Sequence, residues 1–361
     1  MRLLFVLLFL PALASTQIYQ PVFPGQTGQT LLNNLVASYK PGTVLDWTQS
    51  RDTLFSRVLA INDDSVRCIY SGHTLYLDPS ADPTQYVYLN GSSLGMNTEH
   101  AYPQSKGASD GNARSDMNHL YATRSPVNEA RADNPFADVP DAQTDRWFRN
   151  TFVVNTPPAQ NRDAWSESND GIAFEPREEV KGDIARSVFY FYTMYNNEAN
   201  AADPLFFGLQ RATLCQWHEA DPADSAELTR TLRIAPYQDG KANPFILDCT
   251  VAYRGYCPEL TSACATTSAS EPASPALGAM VYPMPFNGTG TLNLNLPFAG
   301  SVQGRWLTVY GQELQKFELQ NAPEGRVQIP LDAANLPVSM YFLEIVLENN
   351  GKKIRQVVRV L

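Results

Sequence analysis

The stretch Asn97–Ser105, Asn-Thr-Glu-His-Ala-Tyr-Pro-Gln-Ser, sets a carboxylate, Glu99, directly beside an imidazole, His100. A second stretch, Ser115–Phe136, supplies side-chain amides and bases: Asn118, His119, Arg124, Asn128 and Arg131. Glu and Asn oxygens suit a hard divalent ion such as Mg²⁺, which keeps several waters of its own. A histidine beside such an ion can take the proton from a water attacking phosphorus. An arginine can hold phosphate through its planar fork. Together these are the parts of a one-metal phosphodiesterase.

These side chains need elements to carry them. Tyr86–Leu89 leads toward the Glu-His pair, with Asn90-Gly91 as a turn. Leu31, Leu32, Leu35 and Val36 recur at helical spacing, predicting a helix that ends near Lys40-Pro41-Gly42. A short helix is expected within Thr43–Leu59, a strand at Val66–Tyr70 and loops across Asn134–Pro158. The plainest helix is Glu178–Tyr195, where Val180, Ile184, Val188, Phe191 and Tyr195 form an apolar stripe behind an acidic start. That stripe reads as core packing. Phe206–Glu219 and Asp221–Leu232 predict further helices.

Four motifs follow one another in order: Thr98-Glu99-His100 with Pro103, Ser115–Leu120, Val127-Asn128-Glu129-Ala130-Arg131, and Phe174–Arg186. In this they resemble the bacterial extracellular endonuclease I family, over roughly Leu31 to Asp248. The resemblance implies an α+β fold, a mainly helical nuclease domain with a ββα-metal (His-Me finger) unit. Tyr86–Leu89 would belong to its β-hairpin, and Pro126–Arg131 to the helix that carries Asn128 toward Glu99. It also implies metal ligation by Glu99 and Asn128, with Mg²⁺, Mn²⁺ or Ca²⁺ as the ion, and His100 as general base. Arg131 and Arg186 are candidates for phosphate or product stabilisation, and equally for structural ion pairs with nearby carboxylates. The chain departs from the family at Asn118-His119, where His usually comes first, and at Asp133, where Asn is commoner. His119 then reads as a packing residue behind the site, and Asp133 as a charge opposing DNA.

Met1–Ser15 reads as a secretory signal: Arg2, the apolar Leu3–Leu10, then Ala12-Leu13-Ala14. Eight apolar residues are too few for a membrane span, so an exported, extracellular protein is expected. Disulfides are permitted there. Of the five cysteines, Cys249, Cys257 and Cys264 are the closest group and the expected source of a pair. A net charge of −10 disfavours general nucleic-acid binding. The nuclease reading therefore needs Arg114, Arg124, Arg131, Arg146, Arg149 and Arg162 focused on one cleft.

Residues 16–257 make the expected nuclease domain. Residues 258–278, rich in Ser, Thr, Ala and Pro, read as a linker. Residues 279–361 carry five to seven short apolar runs separated by turns, the pattern of a small β-sandwich. Tyr282–Phe286, Val309-Tyr310-Gly311 and Arg355–Leu361 resemble the C-terminal sorting domain of the type IX secretion system, which implies the secretion machinery as partner. The function expected is a secreted, monomeric, metal-dependent endonuclease cutting DNA, with RNA as a second substrate, and with little sequence preference. Its rivals are an inactive secreted adhesion or binding protein on the same scaffold and a phosphatase for small phosphoesters.

Overall fold

The computed structural model describes residues 20–60, 64–89, 94–260, 277, 279–307, 313–336, 341–349 and 352–360. The expected signal segment Met1–Ser15, the Asn90-Gly91 turn, most of the linker, Cys264 and Val309-Tyr310-Gly311 lie outside the described residues. The chain divides at residue 267 into two compact units.

In the first unit, helix α1 (Gly28–Tyr39) buries Leu31 and Leu35. Helix α2 (Trp47–Thr53) starts where the Asp46 carboxylate accepts the Gln49 amide at 2.9 Å. It continues as a wider turn, Leu54–Leu59, that buries Leu54, Phe55 and Val58. Strands β1 (Ser65–Arg67) and β2 (Thr74–Tyr76) pair antiparallel. Tyr86–Leu89, expected in a hairpin, is helical instead, within α3 (Pro83–Leu89). The Asp82 carboxylate accepts the Gln85 amide at 2.8 Å, and Pro83 suits a first helical turn, so local capping outweighs the β-prone Tyr-Val-Tyr.

Strand β3 (Met96–His100), helix α4 (Gly111–Ser115), strand β4 (Leu120–Arg124) and helix α5 (Ser125–Arg131) follow. β3 and β4 pair antiparallel with Glu99 opposite Tyr121, and α5 leaves β4 with no intervening loop. Asn134–Pro158 was expected to be loops, yet it contributes two strands of a four-stranded sheet. The strands are β5 (Arg146–Arg149), β6 (Phe152–Val154), β7 (Ser166–Asn169) and β8 (Ala173–Glu175), in the order β6-β5-β7-β8. At three or four residues each, and with sequences such as Ser-Glu-Ser-Asn, they carry no period-two signal.

The helical core is built on α6 (Lys181–Met194), where Ile184, Val188, Phe189 and Phe191 are wholly buried. Around it lie α7 (Asn196–Ala202), α8 (Phe206–Ala220), α9 (Ser225–Ile234), α10 (Pro244–Leu247) and α11 (Thr250–Gly255). Cys257 is bonded to Cys215 on α8, not to a member of its own sequence cluster. Cys249 is also disulfide-bonded, and Cys68 is a buried free thiol.

The second unit has seven described strands, all paired antiparallel: β9 (Met280–Asn287), β10 (Thr289–Leu296), β11 (Gly300–Leu307), β12 (Glu313–Ala322), β13 (Gly325–Asp332), β14 (Tyr341–Asn349) and β15 (Lys352–Val360). One sheet runs β13-β10-β9 and the other β12-β11-β14-β15. Leu292, Leu294, Val302, Trp306, Ile329, Leu343 and Ile345 join both sheets in one apolar core. No described helix is long and apolar enough to cross a membrane.

Candidate active site

Strand β3 ends in Glu99-His100, and neighbouring residues of a strand face opposite ways. Each is accordingly packed by a different set of groups. On one side the Tyr70 hydroxyl donates to Glu99 Oε1 at 2.7 Å, and Arg131 Nε lies 3.0 Å from the same oxygen. On the other, the His100 ring stacks on Trp47 at 5.1 Å and lies 5.4 Å from His119. His100 Nε2 sits 3.0 Å from the Arg114 carbonyl, which can only accept, so Nε2 carries the proton and Nδ1 keeps its lone pair.

Both side chains nevertheless line one cavity of about 260 Å³, together with Asn128, Gln104, Ser105 and Asp133. α5 brings Asn128 there, and among the described residues its side-chain amide has no hydrogen-bond partner. Asp133 accepts from Ser105 Oγ at 2.8 Å across the rim. Between Arg131 and Asp133 the chain turns through Ala132 at φ 48°, a conformation that L-residues rarely adopt. The rim at Gln104–Lys106 is held by Lys106 pairing with Asp203 at 3.0 Å. It is held also by Gly107, where a Cβ would meet the Ala199 backbone at 2.8 Å.

Burial sets the protonation of the pair. It pushes the Glu99 carboxyl up to about 7, with Arg131 and the Tyr70 hydrogen bond opposing. Burial, and next the neighbouring His119, push His100 down to about 3, so it stays a neutral base across the physiological range. A divalent cation beside Glu99 would favour its charged form. Glu99 and Asn128 offer hard oxygens on one cavity wall, a donor set that fits Mg²⁺, Mn²⁺ or Ca²⁺. Among the described residues no three His, Cys, Asp or Glu converge.

The two arginines stand elsewhere than a phosphate clamp would need. Arg131 is fully buried behind Glu99. Its Nη1 donates to the Ala132 and Asn134 carbonyls and its Nη2 to Ala101, all at 2.9–3.0 Å. It fixes the carboxylate and is not part of the cavity wall. Arg186 is buried on α6, donating to both Glu227 oxygens at 2.6–3.0 Å and to the Asp221 carbonyl at 2.8 Å. Of the two sequence alternatives for these arginines, the structure shows the ion pair. Of the arginines expected to focus on the cleft, Arg146 pairs with Asp170, Arg162 with Asp141, and Arg124 donates to the Asn150 carbonyl, while Arg114 lies over the Trp47 ring that stacks on His100.

Asn118 is buried, accepting from Thr231 Oγ1 at 3.0 Å, and His119 binds the Ala113 carbonyl at 2.8 Å behind His100. Two residues of the site gave no signal in the sequence reading, Trp47 and Tyr70. Tyr70 packs edge-on to Phe174 at 4.8 Å, so the Phe174–Arg186 motif supports Glu99 indirectly.

The endonuclease I family matches residues 27–249 of the chain. The chain is similar to an extracellular ribonuclease of Bacillus subtilis (strain 168), 26% identical over 247 residues, covering 64% of this chain and 76% of that protein. It is also similar to an extracellular ribonuclease of Bacillus amyloliquefaciens, 29% identical over 175 residues. That match covers 44% of this chain and spans about half, 53%, of the relative.

Proposed function

We propose that this chain, which belongs to the endonuclease I family, is a secreted metal-dependent endonuclease that hydrolyses phosphodiester bonds of DNA and RNA. The observation that carries the reading is the meeting of Glu99, His100 and Asn128 on one cavity wall, from a strand pair and the helix directly after it. That arrangement supports the ββα-metal assignment. Its relatives' name, extracellular ribonuclease, brings RNA in beside DNA as substrate and supports export.

Held by Glu99 and Asn128, a hard divalent cation would polarise the scissile phosphate and stabilise the departing oxygen. His100 Nδ1 takes the proton of the attacking water, its ring held in register by Trp47 and by the Nε2–H bond to Arg114. Arg131 and Tyr70 hold Glu99 in place. The C-terminal pair of antiparallel sheets fits a sorting module for export, which deletion after Leu260 would test by retaining the protein in the cell.

Plasmid DNA and a homopolymeric RNA, each incubated with EDTA and then with restored Mg²⁺, Mn²⁺ or Ca²⁺, test the proposal. Cleavage of either polymer that stops with EDTA and returns with metal is expected. Undiminished cleavage in EDTA would overturn the metal assignment, and hydrolysis of a small phosphoester alone would favour the phosphatase.

A further inference from the structure

A second cavity, of about 290 Å³, lies against the same strand as the first, and Thr98 lines both. Its size is near the small end of ligand pockets. Strand β3 supplies Asn97 and Thr98, α2 supplies Arg51 and Asp52, and Asp82 with α3 closes the far side with Tyr88.

These walls have a distinctive chemistry. Tyr88 keeps 53% of its surface exposed, an aromatic face left open beside a polar recess. The Arg51 guanidinium lies over the Trp47 ring at 4.8 Å and has no carboxylate partner among the described residues. Asn97 Oδ1 and Thr98 Oγ1 are buried and without hydrogen-bond partners, an arrangement that a native structure seldom leaves unexplained. Asp52 accepts from Thr84 Oγ1 at 2.6 Å through Oδ1, and Asp82 caps α3.

Two carboxylates beside one guanidinium make a poor phosphate site. They make a good acceptor wall for amino groups, as when Asp or Glu accepts from the exocyclic amine of cytosine. An open tyrosine ring is the usual platform for an unpaired base. We infer that this cavity is a nucleobase subsite, stacking on Tyr88 an unpaired base next to the scissile phosphate of the Glu99 cavity and accepting its amino group on Asp52 and Asn97. The inference rests on the nuclease reading for the direction of the strand, and it makes single-stranded polymer the better substrate. Bases with an exocyclic amine, such as cytosine, are favoured over thymine and uracil.

Fluorescence anisotropy with labelled oligo-dC and oligo-dT in EDTA reads the subsite without requiring cleavage. Tyr88→Ala should weaken oligo-dC binding by about 5- to 100-fold, the usual loss for one stacked base. Tyr88→Phe, which keeps the ring, should stay within about twofold of the unaltered protein. Asp52→Asn, which can still accept from Thr84, should narrow the preference for oligo-dC over oligo-dT. Cleavage of bis(p-nitrophenyl) phosphate, which has no base, should keep its kcat and KM in all three variants. Equal oligo-dC affinity for Tyr88→Ala and the unaltered protein would overturn the subsite while leaving the nuclease standing. If the unaltered protein binds oligonucleotide but cleaves nothing with any of the three metals, the nuclease reading falls, and the Tyr88 comparison still decides the subsite.

Discussion

His100 stacks on Trp47 with ring centroids 5.1 Å apart and planes 26° from parallel. The indole fills the space into which the imidazole would otherwise turn, while the Arg114 carbonyl holds Nε2. In the proposed mechanism Trp47 is therefore a positioning residue for the base. Trp47→Leu should lower kcat by about 10- to 100-fold, the scale of a small misplacement, with metal affinity unchanged by calorimetry. Trp47→Phe should recover most of the rate. A Trp47→Leu protein with unaltered kcat would remove the indole from the mechanism.

The proposed mechanism gives Glu99 and His100 different tasks, and single substitutions separate them. His100→Ala should keep metal binding and lose about 10²–10⁴ in rate, the usual share of general acid–base catalysis. Glu99→Ala removes the proposed anionic ligand, so metal affinity should fall with the rate, and excess Mg²⁺ should partly restore it. Calorimetry for the ion and plasmid nicking for the rate decide the matter. If His100→Ala loses the ion while Glu99→Ala keeps it, the roles are reversed.

The ion pair of Glu99 and Arg131 is buried on both sides. Removing one member of such a pair typically costs about 3–5 kcal/mol, because the other charge is left without a partner. Arg131→Met should therefore destabilise by about that amount in urea unfolding. Adding Glu99→Gln should recover part of the loss, a coupling of about 0.5–3 kcal/mol. Strict additivity of the two changes would show that the carbonyl contacts of Arg131, and not the carboxylate, carry its effect.

His218 gives the stability a pH dependence remote from the cavity. Its Nε2 meets the Cys249 carbonyl at 2.9 Å and its Nδ1 faces Arg186. Burial first, and the Arg186 charge second, lower it to about 3 from an ordinary value of 6.5. Between those values the unfolded chain binds a proton that the folded chain does not. Its contribution is complete above pH 6.5 and is lost as pH falls, by up to about 1.4 kcal/mol per pH unit. Urea midpoints from pH 7 to 5 should fall less steeply for His218→Gln than for the unaltered protein. Parallel slopes would mean that His218 is protonated in the folded state.

What could be read from the sequence was what short-range chemistry sets. α1, α6 and α8 show in their apolar spacing, and the residues that line the cavity, Glu99, His100 and Asn128, stood out by type and order. Tyr86–Leu89 misled because the resemblance set it in a hairpin, whereas the local Asp82-Pro83 start signal makes it helical. β5 to β8 are too short and polar to show a period. The partners of Glu99 and His100 on β3, Tyr70 and Trp47, come from distant parts of the chain, and only tertiary packing joins them.

The alternation of Glu99 and His100 across β3 also bears on how such a protein changes over generations. The surroundings of the carboxylate are Tyr70 and Arg131, and those of the imidazole are Trp47, Arg114 and His119. Arg131 alone bears on both, pairing with Glu99 and adding its charge to those that disfavour protonation of His100. On the proposed roles, changes at Tyr70 would act on the ion and changes at Trp47, Arg114 or His119 on the acidity of the base, while a change at Arg131 would act on both. On those roles, a lineage could shift its ion through Tyr70 or its pH range through Trp47 one substitution at a time, whereas Arg131 ties the two adaptations together.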